Sequence, residues 1–132
     1  MLVLDAFLDR SPPVHLLTLE AFRLYLRHVG PRGVLAFDVS NPFLELSKAV
    51  RANAAACGLY TVDWRDSDVT PPGVFSQWVL ASRSRQVLES AFPADMVASP
   101  AASDAPRLLW TDDFTPILRI LRMPRPSAPP HP

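Results

Sequence analysis

Cysteine is almost missing from this chain: Cys57 is the only one in 132 residues. No internal disulfide can form, and no thiolate cluster can hold a metal. Its setting, "ANAAACGLY", suits an inert packed thiol better than a nucleophile. Glycine is nearly as scarce. Gly30, Gly33, Gly58 and Gly73 are all there are, and each stands at an expected turn. No glycine run can therefore cradle a phosphate, and neither a dinucleotide fingerprint nor a GxSxG elbow is present. His15, His28 and His131 lack the spacing of metal ligands. No apolar run reaches the roughly 18 residues that span a bilayer. The start has no basic region or small-residue cleavage site of a secretory signal. A reducing cytoplasm is the expected compartment. An excess of one charge is missing too. Basic and acidic residues balance at 13 each, which removes the electrostatic case for nucleic acid or an anionic membrane.

What is present is enough apolar material for one domain. Apolar residues make up 48% of the sequence, which suits a single core at this length. Leu2–Leu4 is a continuous apolar run, as in a parallel strand buried on both faces. "RSPPVHLL" is a loop, because Pro12 and Pro13 allow neither helix nor ladder to continue. Thr18 then caps a helix that has Glu20 in its first turn and Leu19, Phe22, Leu26 and Val29 on one face. "GPRG" stops it. "VLAFDV" is a second strand. "SNP" starts a second helix, with Ser40 or Asn41 as cap, Pro42 in the first turn, and Phe43, Leu46, Ala49, Val50 and Ala54 facing the core. Gly58 ends it. "LYTVDW" and "FSQWVLAS" are strands flanking the exposed loop "RDSDVTPPG", and a short helix covers Ser84 to Phe92. "MPRPSAPPHP", residues 123–132, reads as a disordered tail behind a folded unit of residues 1–122. Two strand–helix–strand crossovers predict parallel pairing, and the helix-free last connection predicts an antiparallel final strand. The expected architecture is half of a doubly wound α/β sheet, mostly parallel, with helices on both faces.

In such sheets ligands bind at the carboxyl ends of the strands. Asp5 ends the first strand and Asp9 lies in the loop after it. A carboxylate there can take a proton from an amine or pair with a cation, although loop capping and a solvated surface are the ordinary alternatives. His15 follows the proline loop and can line the same crevice or simply pack. "WTDDFTP" sets Asp112 and Asp113 behind Thr111, an ordinary helix-start signal.

The stretches "DAFLDRSPPVHLLTLEAF", "DVSNPFLEL" and "WTDDFTPIL" resemble, in that order, the "DAFsgDsiPvHLlTrEaF", "hiSNryLdL" and "WTDDys" stretches of the spermidine synthase family of polyamine aminopropyltransferases. The likeness is greatest to the bacterial branch fused to transporter-like membrane regions, and it runs from Leu2 to Leu121. It covers the C-terminal half of that family's catalytic domain. The resemblance implies a partial Rossmann-like sheet of the S-adenosylmethionine-dependent methyltransferase type. It also implies aminopropyl transfer from decarboxylated S-adenosylmethionine, a co-substrate and not a tightly held cofactor, to a diamine such as putrescine. Asp5 matches the proton-accepting aspartate; Asp9 stands at a position the family usually gives to glycine and is a weaker diamine contact, with His15 as a further substrate-binding candidate lining the pocket. Two departures stand out: the family's second acid falls at Arg10, and its tyrosine segment at "TPPG" carries Pro71. The nucleotide-binding half would come from a partner chain or a second copy, and the chain looks to begin midway through a catalytic domain. Two other readings are a non-catalytic remnant serving as a binding or structural module, and a small-molecule methyltransferase on the same fold.

Overall fold

A computed structural model of the chain describes residues 1–5, 13–66, 76–102 and 108–122. The expected 123–132 tail and Asp9 lie outside the described residues. The described elements run β1 (Leu2–Leu4), α1 (Leu19–His28), β2 (Val34–Asp38), α2 (Leu46–Ala56), β3 (Tyr60–Asp66), β4 (Ser76–Ser82) and α3 (Arg85–Glu89). Among the described residues the four strands form one sheet in the order β1-β2-β4-β3.

The sheet is mixed and not mostly parallel, which corrects the expectation. β1 pairs parallel to β2, with Leu2 opposite Leu35 and Leu4 opposite Phe37. β4 then runs against both of its neighbours, pairing Phe37 with Val79 and Val62 with Leu80. The reason is where β4 inserts. It lies against β3, the strand before it in the chain, and runs antiparallel to it, filling the gap between β2 and β3 that the second crossover leaves open. One reversed strand in that slot turns two of the three ladders antiparallel. The reversal of the last strand was legible; its position was not.

Period-2 alternation divides the sheet into two unlike faces. Leu4, Leu35, Phe37, Val79 and Ala81 point to one side, where Phe22 of α1 and Leu46, Ala49, Val50 and Ala54 of α2 cover them. The Phe22 and Phe37 rings stack there, with centroids 4.8 Å apart and planes 13° from parallel. Val62 points to the other side, where Leu88 of α3 and Val97 pack on it, flanked by Val34, Tyr60, Leu80 and Phe92. β1 is an edge strand rather than one buried on both faces: Leu4 is buried, but Val3 remains 48% exposed.

Local signals explain most element ends. The Thr18 hydroxyl accepts from Ala21 N (3.4 Å) and donates to His15 O (3.1 Å), so it caps α1 as its position predicts. Gly58 closes α2 at φ +71°, a conformation that other residues adopt only with strain. The start of α2 differs from expectation. Asn41 does not open a helix; its Oδ1 accepts from Phe43 N (2.9 Å) and Leu44 N (2.8 Å) in a turn. Leu44 then bridges to Leu121, and Glu45 N donates to Ile120 O. Pairing with the C-terminal segment delays the helix to Leu46 and leaves Phe43 exposed instead of on the core face.

Candidate functional site

Polar side chains collect in three places. The first is the carboxyl end of β1, where Asp5 directly follows Leu4. The Asp5 residue is exposed, and it is not in the lining of the hollow beside α1 or of the apolar hollow on the opposite face of the sheet. Among the described residues the strand that carries it pairs with β2 alone.

The second place is an open hollow of about 570 Å³ beside α1. The short helical turn Val14–Leu16 contributes His15, α1 contributes Glu20, Leu24 and Arg27, and the C-terminal segment contributes Asp112 and Thr115. His15 is exposed at its rim. The two sequence motifs that supply these residues are tied directly together. Leu19 N donates to Trp110 O (2.7 Å), and Asp112 N donates to Glu20 Oε2 (3.1 Å). Beneath them the wholly buried Asn53 of α2 donates from Nδ2 to Leu17 O (2.6 Å) and Trp110 O (2.9 Å), and its Oδ1 accepts from Trp110 N (3.1 Å). One amide thus fixes the backbone of both motifs from below. Thr111 does not start a helix. Its hydroxyl accepts from Phe114 N (3.1 Å) in a tight turn, which leaves Asp112 and Asp113 exposed.

The third place is the end of the sheet where β4 begins. Gln77, buried although it carries a full amide, is the hub. Its Oε1 accepts from Arg65 Nη2 (3.1 Å) and Arg122 Nη2 (3.4 Å), and its Nε2 donates to Asp63 Oδ1 (2.8 Å). Its backbone N donates to Ser40 Oγ (2.9 Å), and its carbonyl accepts from Val39 N (2.8 Å). Every hydrogen-bonding group of Gln77 is engaged, so this network clamps β2, β3, β4 and the C-terminal segment together.

Neither Asn53 nor Gln77 stood out as a candidate in the sequence. The available signal was a lone amide inside an otherwise small or apolar run, "RANAAA" and "FSQWVL". Such a residue must find partners once buried. Cys57 behaves as expected: it is half-buried, and burial pushes its thiol pKa up while Arg23 and Arg83 pull it back. A raised thiol pKa disfavours the thiolate. Among the described residues no three His, Cys, Asp or Glu side chains are grouped to hold a metal ion, and no helix is long and apolar enough to cross a membrane. No protein-family model, curated protein or solved structure matches the chain.

Proposed function

We propose that the chain is the acceptor side of a spermidine synthase-like aminopropyltransferase on a Rossmann-type sheet. In this reading a primary amine of a diamine such as putrescine attacks the aminopropyl carbon next to the sulfonium of decarboxylated S-adenosylmethionine. The new N–C bond forms as the C–S bond breaks, and 5′-methylthioadenosine leaves with the bonding pair on sulfur. The amine must first shed a proton, since an alkylammonium has no lone pair; the Asp5 carboxylate takes it. Asp9 and His15 hold the remainder of the diamine.

One observation carries the reading. The β1–α1–β2 unit is a parallel crossover with Asp5 at its carboxyl end, the position at which open α/β sheets bind ligands. The reversed last strand supports it further, as does the direct bonding of the "HLLTLEAF" segment to the "WTDD" segment.

Calorimetric titration with 5′-methylthioadenosine and with putrescine tests it. Saturable binding of both, with the putrescine heat lost in Asp5→Asn, is the expected result; binding of neither overturns it. Affinity for S-adenosylmethionine with no diamine response would instead favour a methyltransferase. The exposure of Asp5 and the unpaired outer edge of β1 among the described residues support a second reading, a binding or structural module that docks through that edge. That reading predicts no heat from any of the three ligands.

A further inference from the structure

Asp5 does not line the hollow beside α1, and the charges of that hollow are sorted by sign. At the end near the helix start, Glu20 and Asp112 face it together with His15. At the other end stands Arg27. Glu20 and Arg27 are seven residues apart on one helix, about 10 Å along its axis at the usual rise per residue. Between them the wall is Ala21 and the 43%-exposed Leu24, both also facing the hollow.

Two details make this arrangement more than a solvated helix face. Glu20 is oriented, because one of its carboxylate oxygens accepts from Asp112 N (3.1 Å). The Asp112 carboxylate and the Arg27 guanidinium have no hydrogen-bond or ion-pair partner among the described residues. Acid and base in one hollow have not neutralised each other, because the length of α1 holds them apart. A ligand can bridge what the side chains cannot.

We propose that this hollow binds a linear aliphatic amino acid, its ammonium between Glu20 and Asp112, its methylene chain over Ala21 and Leu24, and its carboxylate on Arg27. The helix dipole opposes this orientation with about half a charge at each end. Two full carboxylates at one end and a guanidinium at the other outweigh it. Arg27 also sets the specificity, since it repels the second ammonium of a diamine. The site therefore differs in ligand class from the aminopropyl acceptor pocket, and it shares only the rim residue His15 with that reading.

The test is an amide-resolved NMR titration of the whole chain at low ionic strength with 6-aminohexanoate, hexylamine, hexanoate and putrescine. Shifts confined to residues 14–27 and 111–115 are expected, with 6-aminohexanoate binding about three- to fivefold more tightly than either single-ended analogue, the gain one exposed ion pair supplies. Glu20→Gln should bring its affinity down to that of hexanoate, and Arg27→Gln down to that of hexylamine while improving putrescine. Asp5→Asn should leave the 6-aminohexanoate, hexylamine and hexanoate affinities unchanged. Equal affinity for all four compounds, a putrescine affinity above that of 6-aminohexanoate when read from the amides of residues 20–27 and 111–115 in the Asp5→Asn chain, or no saturable shift in these segments would overturn the proposal. The comparison among ligands on the unsubstituted chain stands even if a variant fails to fold.

Discussion

The two faces of the sheet are built from the same strands yet are finished very differently. Under α1 and α2 the side chains of Leu35, Phe37, Val79 and Ala81 are wholly buried and continuous with Phe22, Leu46 and Trp110. On the opposite face only Val62, Leu88 and Val97 are buried among the described residues of that cluster. A wholly apolar hollow of about 300 Å³ lies there between Ala36, Trp64, Trp78, Leu80 and Phe92. The difference follows from helix length. α1 and α2 run 10 and 11 residues and span the strands they cover, whereas α3 has 5 and covers only part of β3 and β4. Stability is therefore concentrated on one side, and that side also carries the buried amide that fixes the motif segments.

Substitutions can sharpen that contrast or break it. Phe37→Ala removes the ring stacked on Phe22 and opens a cavity in the covered face. It should cost about 3–5 kcal/mol by urea denaturation. Asn53→Ala comes next. It strips Leu17 O and Trp110 N of their amide partner in a buried setting, while Trp110 O keeps Leu19 N. A loss of about 2–3 kcal/mol is expected, together with NMR shift changes in residues 110–115. Trp64→Thr lies on the open face at 37% exposure and should cost only about 1–2 kcal/mol, the burial of part of one ring. Thr18→Ala deletes the α1 cap and should cost about 1 kcal/mol, with fraying of the first helical turn seen by hydrogen exchange. A cost at Trp64 comparable to that at Phe37 would mean that the open face is covered in solution, and the contrast would fail.

Legibility in the sequence tracked how local each cause was. The Thr18 cap, the Gly58 stop and the strand character of "VLAFDV" depend on a few neighbouring residues, and each was readable. The start of α2 was misjudged because Asn41 and Pro42 form a good helix signal that Leu121 and Ile120 override from the far end of the chain. The same distance hid the hollow beside α1. His15 was a candidate on its own, but Glu20 read as a first-turn acid and Asp112 as part of a cap. Only the hydrogen bond between Asp112 N and Glu20, 92 residues apart, makes them one site.

Composition and periodicity alone determined that this chain forms an α/β sheet with a reversed last strand, a single cysteine and no glycine run to cradle a phosphate. Tertiary structure alone decided that β4 lies between β2 and β3, that α1 and α2 share one face, and that carboxylates and a guanidinium stand at opposite ends of a single hollow. Side-chain period and capping act over a few residues and are written locally. Strand insertion and charge convergence depend on which distant segments gain most by burying each other, and no short window of sequence contains that balance.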